Sequence, residues 1–201
     1  MKALSGSEEA FTGLEAAIVL IAFVVVAAVF SYVVLGAGFF TTQKSQEVVH
    51  AGVTAASANI VILGDVYGFN GTAIVPPDTS IPNVMTRVNF TIGLSAGGTA
   101  IDLQRMTIVY SNATGRYDIG MMSPWFTSVN NGNWSVVQVQ GGDQNALLEK
   151  GEQADISVRI FGNKPIIPRD WFTIEIQPIE GATLTIRKTA PAAIDKVQKL
   201  Y

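Results

Sequence analysis

Cysteine is absent from this chain, and histidine occurs only once among its 201 residues. Disulfide bonds and catalytic sites built on a cysteine nucleophile are therefore excluded. A serine triad would have to use His50, which lies in a stretch that we predict to be helical. Neither a phosphate-binding glycine loop nor an EF-hand spacing occurs in the sequence. We therefore expect no enzymatic activity, no catalytic residues, no cofactor and no metal site.

Excess positive charge is also missing. Lys and Arg total 13 against 16 Asp and Glu, which gives a formal net charge of −3. This balance argues against a nucleic-acid partner, because phosphate binding needs a basic surface. Four aspartates fall in or near predicted loops, and we interpret them as solvated carboxylates rather than as metal ligands: Asp65, Asp102, Asp118 and Asp143.

Charge is missing altogether from one long stretch. Residues 16–40 form a run of 25 residues without a charged side chain. As a helix this run would reach about 38 Å, enough to cross a hydrocarbon core of about 30 Å. It is too long for the apolar part of a removable secretory signal, which has about 7–15 residues. The sequence therefore predicts an apolar helix that stays in the mature protein.

This helix is expected to begin near Thr12, because Thr12 and Glu15 have the spacing of a capping box. Beyond the apolar run, Val49, Val53 and Ala56 recur at i, i+4 and i+7, which continues the helical pattern to about residue 58. The whole helix would be about 70 Å long, so only its first half fits a bilayer. The second half needs another partner for its apolar face.

Residues 59–201 show short alternating segments separated by turn residues. Strands are expected at residues 60–63, 86–95, 105–110, 117–121, 134–140, 155–161, 171–177 and 182–188. A loop is expected through Gly64, Gly68 and Asn70-Gly71, with turns at Asn131-Gly132 and Gly141-Gly142. We predict an α+β chain in which a long N-terminal hydrophobic α-helix precedes an antiparallel, immunoglobulin-like β-sandwich.

The C-terminal tail, residues 192–201, is predicted to form a short amphipathic turn. That turn would place Ile194, Val197 and Leu200 or Tyr201 inward.

Four Asn-x-Ser/Thr sequons lie in the predicted β region, at Asn70, Asn89, Asn112 and Asn133. We expect Asn70, Asn112 and Asn133 in loops, and Asn89 on the polar face of a strand. We predict N-glycosylation of at least one of these four residues.

The N-terminal region resembles the archaeal flagellins (archaellins) of the type IV pilin-like superfamily. The resemblance is carried by Gly13-Leu14, the apolar run Ile18 to Val34, the segment Thr41 to Val49 and, less distinctively, the C-terminal run GATLTIRKTAP. It implies a short leader that a membrane aspartyl peptidase removes on the cytoplasmic side. It also implies that the apolar helix is retained and forms the core of a filament.

Transferred to this chain, the resemblance places the leader cleavage between Ala10 and Phe11. Gly13 then becomes the third and Glu15 the fifth residue of the mature subunit. The implied organisation is a leader at residues 1–10, a helix at 11–58 and an outer β domain with a short tail at 59–201. A carboxylate on an apolar helix needs a neutralising cation, and the new α-amino group of a neighbouring subunit would provide one.

Small residues along the apolar run favour close helix packing. The candidate assembly residues are Gly13, Glu15, Ala27, Ser31, Gly36 and Gly38. The resemblance implies a helical homopolymer at the cell surface that serves swimming motility. It also implies a precursor that lies transiently in the cell membrane, and a cytoplasmic ATPase and a membrane platform protein that assemble the filament.

Two features depart from the archaellin pattern. The leader ends in Glu8-Glu9-Ala10, where the family usually has basic residues and Gly. Glu15 stands where many archaellins have a small residue and bacterial pilins have Glu. The second departure leaves an archaeal type IV adhesion pilin as an alternative. A monomeric, membrane-anchored β-sandwich that binds a ligand is a further alternative.

Overall fold

A computed structural model describes residues 5–75, 79–126, 132–143 and 145–201. The chain divides into two units, Met1–Ala51 and Gly52–Tyr201. The long N-terminal helix, α1, spans Ser5–Ser57. Its end lies within one residue of the predicted position, but its start does not, because the helix already includes Thr12. The capping box is therefore wrong as the beginning of the helix.

The end of α1 satisfies its own terminal carbonyl groups. The backbone N–H of Ala58 donates to the Thr54 carbonyl at 2.9 Å, and Ser57 Oγ donates to the same oxygen at 3.0 Å. Asn59 Nδ2 donates to the Ala56 carbonyl at 2.9 Å. These bonds end the helix at the point where the β region begins.

In its described residues, the β domain (59–201) is built from strands and one short 3₁₀-helix, Leu103–Arg105. The strands are β1 Ile60–Val75, β2 Thr79–Leu94, β3 Ile101–Asp102, β4 Thr107–Asn112, β5 Gly115–Phe126, β6 Asn133–Gln140, β7 Leu147–Leu148, β8 Gln153–Arg159, β9 Trp171–Gln177, β10 Leu184–Thr189 and β11 Val197–Leu200. Nine of them form one sheet in the order β10-β9-β4-β5-β6-β8-β2-β1-β11, and β3 pairs with β7. The sheet is antiparallel except for the parallel pair β5 and β6.

One hydrophobic core joins the two halves of this sheet. Ile108 and Ile174 come from the β10-β9-β4-β5 half, whereas Phe90 and Ile156 come from the β6-β8-β2-β1-β11 half. All four belong to one cluster of buried side chains, together with the fully buried Trp134. The predicted two-layer β architecture is thus confirmed as a mostly antiparallel sheet that encloses a single core.

The predicted loop between residues 64 and 71 is wrong, because β1 continues through it as a bulged strand. The pairing with β2 shifts register between Leu63 and Tyr67, where Gly64 has a φ of +80°. Gly68 is not a turn residue: a Cβ there would come within 2.6 Å of the Met85 side chain on β2. The glycine makes room for a cross-strand neighbour, which a pattern of turn residues does not reveal.

The C-terminal tail forms β11 rather than an amphipathic turn, and it pairs antiparallel with β1. Ile194 and Leu200 are buried as predicted, but Val197 is 50% and Tyr201 is 87% exposed. Side chains alternate between the two faces of a strand, so residues 197, 199 and 201 share the outer face. The turn at Gly141-Gly142 is confirmed, with a φ of +80° at Gly141, whereas Asn131 lies outside the described residues.

Candidate functional site

The apolar surface of α1 is exposed along its length within this chain. Phe23 is 74% and Tyr32 is 79% exposed, and the other described side chains from Gly13 to Val53 are exposed as well. The segment Gly13–Ser57 is long and apolar enough to cross a membrane. Exposing an apolar surface of this size to water is energetically unfavourable, so the helix needs lipid or protein partners.

Four of the candidate assembly residues share one face of α1. At about 100° per residue, Gly13, Ala27, Ser31 and Gly38 lie within about 40° of one another. We call these four residues the small-residue face. Ser31 and Gly38 line a shallow groove of about 450 Å³ on this face, whose rim includes Phe30 and Phe39.

The other two candidates lie elsewhere around the helix. Gly36 lies on the opposite side from Ala27, about 180° away, and Glu15 lies about 120° from Ala27. A Cβ added to Gly13, Gly36 or Gly38 would meet nothing within 4 Å in this chain. The space that these glycines leave is therefore available to another molecule.

Polar groups at the end of the apolar run are satisfied within α1. The hydroxyls of Thr41 and Thr42 donate to the carbonyls of Ala37 and Gly38 at 2.8 and 2.9 Å. Lys44 and Glu47 form an ion pair of 2.7 Å one turn further along. The small-residue face can therefore pack closely without leaving these hydroxyls unpartnered.

The sequon residue Asn112 ends β4 and holds the β4–β5 hairpin together. Its Oδ1 accepts from the backbone N–H groups of Thr114 and Gly115 at 2.9 and 3.2 Å, and from the Thr114 hydroxyl at 2.6 Å. Its Nδ2 donates to the phenol oxygen of Tyr110 at 3.1 Å. Asn112 is only 8% exposed, so a buried asparagine holds a turn whose next two residues are exposed.

Burial raises the pKa of the Tyr110 phenol above its ordinary value, and the hydrogen bond from Asn112 partly opposes that rise. On the same hairpin, the Thr114 hydroxyl lies 3.3 Å from the Tyr117 phenol oxygen and lowers the pKa of Tyr117. The hairpin therefore carries two tyrosines with opposite pKa shifts.

Two other sequons also lie in strands, so the prediction of loop positions is wrong for Asn70, Asn112 and Asn133 alike. Asn70 is within β1, and its Nδ2 donates to the Ile194 carbonyl at 2.8 Å. Asn133 is the first residue of β6, and its Nδ2 lies 2.7 Å from Met122 Sδ. Both amides are half-buried and tie neighbouring segments together.

Asn89 lies in β2 on the polar face, as predicted. Its Oδ1 accepts a hydrogen bond from Ser157 Oγ at 2.9 Å, across the pair of β2 and β8. On the other side Asn89 pairs with Tyr67 of β1.

Three of the four aspartates predicted in or near loops lie in strands. Asp65 of β1 forms an ion pair of 2.7 Å with Lys199, and Asp102 of β3 accepts from the Gln104 N–H at 2.9 Å. Asp118 is in β5, whereas Asp143 is in the predicted loop. Within the part of the chain that the structure describes, no group of three or more His, Cys, Asp or Glu residues is placed to hold a metal ion.

Comparison with known proteins gives consistent matches over most of the chain. A family model for archaeal-type flagellin matches residues 10–188. A probable flagellin 1 from Archaeoglobus fulgidus is 41% identical over 208 residues, which cover 96% of this chain and 96% of that protein.

Solved structures agree with these sequence matches. The archaeal flagellum of Methanospirillum hungatei strain JF1 matches with a TM-score of 0.69 and 30% identity, over 94% of this chain and 98% of that chain. The crystal structure of archaeal flagellin FlaB1 from Methanocaldococcus jannaschii shares the fold, with a TM-score of 0.53 at 18% identity, over 70% of this chain and 95% of that chain.

These matches include both α1 and most of the β domain, and they favour the flagellin interpretation over an adhesion pilin or an anchored binding module. The chain belongs to the archaeal-type flagellins, and it is a structural subunit of the archaeal flagellum.

Proposed function

We propose that α1 is the polymerising element of this subunit and that it forms the core of an extracellular helical filament. The exposed apolar surface of α1 carries the proposal, since it needs a partner of the same length and chemistry. Copies of α1 meet both requirements. The domain assignment follows: leader at residues 1–10, core helix at 11–58, and outer β domain at 59–201.

The small-residue face explains how such a core gains free energy. A helix that leaves lipid for a bundle of helices gains little from the hydrophobic effect, because lipid tails are equally apolar. Close approach over Ala27, Ser31 and Gly38 increases the van der Waals contact instead. A head-to-tail contact that does not close on itself then produces a filament rather than a ring.

The precursor lies in the cell membrane through α1 before assembly. A leader peptidase cuts between Ala10 and Phe11, and an assembly ATPase and a membrane platform protein move the mature subunit into the growing filament. Because the free energy of transferring the helix from lipid to a helix bundle is close to zero, such machinery is needed to drive assembly. The filament serves swimming, and the subunit has no catalytic role of its own.

Glu15 contributes to assembly through its charge. Its carboxylate lies at the edge of a run of 25 uncharged residues, where burial between helices is costly unless a cation is paired with it. The α-amino group of Phe11, created by the cleavage in a neighbouring subunit, is mostly protonated at neutral pH because its reference pKa is about 7.7–8.0.

At least one of Asn70, Asn89, Asn112 and Asn133 carries an N-linked glycan. The four sequons in the β domain support this part of the proposal.

N-terminal sequencing of subunits sheared from the cell surface tests the central proposal. The expected N-terminus is Phe11 in filaments that electron microscopy shows to be intact. A subunit that keeps Met1 and stays monomeric in the membrane would contradict it.

The role of Glu15 needs a separate experiment. Glu15→Ala should still insert in the membrane but should assemble few filaments, whereas Glu15→Asp, which keeps the charge, should restore part of the assembly. Normal filaments from Glu15→Ala would limit Glu15 to a local role in the helix.

A further inference from the structure

A groove of about 230 Å³ lies on the outer face of the sheet, across β1, β2, β8 and β6. Its lining includes Asp65, Tyr67, Asn89, Thr91, Val137 and Asp155. Tyr67 is 42% and Val137 is 57% exposed, so the groove offers apolar contact surface beside two carboxylates. A mixed lining of this kind fits a ligand that has both apolar faces and hydroxyl groups.

The two functional residues of one sequon lie in this groove. Asn89 and Thr91 are two positions apart in β2 and therefore point to the same face of the sheet. A sugar attached to Asn89 Nδ2 would have to begin inside the groove. The sequence motif and the groove thus coincide in the folded domain.

Asn89 also differs from the other sequon asparagines in how its amide is used. Nδ2 of Asn70 donates to Ile194, Nδ2 of Asn112 donates to Tyr110, and Nδ2 of Asn133 contacts Met122. For Asn89 the bond to Ser157 uses Oδ1. Among the described residues, no acceptor binds Asn89 Nδ2, so this nitrogen is available for substitution without loss of a hydrogen bond.

We propose that Asn89 carries an N-linked glycan and that the groove holds its first sugar against the β domain. This inference rests on the proposed glycosylation of the subunit and names its site. The transfer uses a glycosyl donor activated as a phosphate or diphosphate ester. A bond forms between Asn89 Nδ2 and C1 of the sugar, while the bond between C1 and the phosphate oxygen breaks. The phosphate carrier leaves, and Nδ2 gives one proton to a base of the transferase.

The groove offers suitable groups to a bound sugar. Asp155 accepts from the Thr91 hydroxyl at 2.5 Å and from Gln140 Nε2 at 2.8 Å, which leaves lone pairs on its oxygens for sugar hydroxyls. The exposed ring of Tyr67 provides a flat surface for the apolar face of the sugar. The glycan would therefore cover part of the exposed apolar surface of this sheet.

Asn89 lies in an inner strand of the sheet. β2 is paired with β1 on one side and with β8 on the other, and Asn89 faces Tyr67 and Ser157 in these pairs. In the folded domain its side chain can therefore be reached only from the outer face of the sheet.

Mass spectrometry of tryptic peptides from native filaments tests the site. Cleavage after Lys and Arg places each sequon on a separate peptide: residues 45–87, 88–105, 106–116 and 117–150 for Asn70, Asn89, Asn112 and Asn133. We expect the 88–105 peptide to carry a glycan mass. Thr91→Val should remove that mass, whereas Thr91→Ser, which keeps a hydroxyl at the same position, should retain it.

The outcomes separate this inference from the glycosylation on which it rests. If other sequon peptides are modified and 88–105 is not, the assignment to Asn89 is overturned and glycosylation of the subunit stands. If none of the four is modified, both fail.

Enzymatic deglycosylation tests the contact with the groove. A peptide-N-glycosidase hydrolyses the side-chain amide bond of the modified Asn89 and releases the whole glycan. In folded filaments this release should be roughly tenfold slower than in denatured subunit, and Tyr67→Ala should remove most of the difference. Val197→Ala, an exposed change on the adjacent edge strand, is the control and should keep it. Equal release rates in folded and denatured wild-type protein would overturn the proposed contact.

Discussion

Apolar side chains are arranged in opposite ways in α1 and in the β domain. Along α1 they are exposed, from Leu14 to Val53, whereas in the β domain Trp134, Phe172 and their neighbours form a buried core. The β domain has its stabilising contacts within one chain, and α1 must obtain its contacts from other molecules. Substitutions in the two regions should therefore affect different properties, namely assembly for α1 and folding for the β domain.

The largest expected effect is the loss of filaments through the small-residue face. Gly38→Leu would fill the groove that Ser31 and Gly38 line, so neighbouring helices could no longer approach closely. We expect few or no filaments by electron microscopy, together with an unchanged thermal unfolding transition of the β domain.

Gly36→Leu is the matched control, because Gly36 lies on the opposite side of the same helix and also has no neighbour within 4 Å. It should reduce assembly less than Gly38→Leu does. An equal loss of filaments from both variants would show that the side of the helix on which a residue lies does not determine the packing.

The next largest effect is expected at Gly181, inside the β-domain unit. Gly181 has a φ of +100°, and a Cβ there would collide with the carbonyl oxygen of Ala58. Gly181→Ala should therefore cost more than roughly 3 kcal/mol of unfolding free energy, from strain and a backbone displacement together. Denaturant unfolding of the detergent-solubilised chain measures this cost.

Gly97→Ala isolates the contribution of the collision. Gly97 also has a positive φ, of +80°, but a Cβ there would meet nothing within 4 Å. Its cost should be roughly 1 kcal/mol from backbone conformation alone. If both variants lose the same unfolding free energy, the collision with Ala58 contributes nothing to the cost at Gly181.

A smaller effect is expected at Asn112. Asn112→Ala leaves two backbone N–H groups and the Thr114 hydroxyl without their acceptor, which should cost roughly 2 kcal/mol. Asn112→Asp keeps the acceptor and loses the donor to Tyr110. It also buries a carboxylate, but the two backbone N–H groups and the Thr114 hydroxyl donate to it, so this variant should cost less than Asn112→Ala. Both changes remove the sequon, and their difference in unfolding free energy is therefore independent of any glycan. Equal destabilisation would contradict a structural role for the Asn112 oxygen.

Sequence periodicity predicted much of the β domain, including β9 at residues 171–177 to the residue. It failed at β1, because Gly64 and Gly68 look like turn residues. In fact they allow a bulge and a close cross-strand neighbour. It also missed the parallel pairing of β5 with β6, since pairing direction depends on how distant segments meet.

The candidate sites show the same limit. The composition of α1 shows that it contains small residues. Only their angular positions around the helix show that Gly36 lies on the opposite side from Ala27 and Gly38. The sequon at Asn89 is visible in the sequence, whereas its groove is not. Asp65, Tyr67 and Asp155 come from separate strands, and only the sheet order brings them together.

The smallest expected effect is a change in alkaline stability caused by Tyr110. Burial raises the pKa of this phenol in the folded chain above its unfolded value of about 10. Above that pH the unfolded chain releases the proton while the folded chain still holds it. The stabilisation is therefore complete below about pH 10 and is lost as the pH rises toward the folded pKa.

Tyr110→Phe removes this titration. Its unfolding free energy should fall less steeply than that of the wild type between about pH 10 and 11. At neutral pH the variant should lose roughly 1 kcal/mol, because Asn112 no longer has its phenol acceptor. Val197→Ala is the control: it changes an exposed side chain that does not titrate, so it should leave the alkaline slope unchanged. Parallel pH profiles for the wild type and Tyr110→Phe would mean that burial of Tyr110 does not govern alkaline unfolding of the β domain.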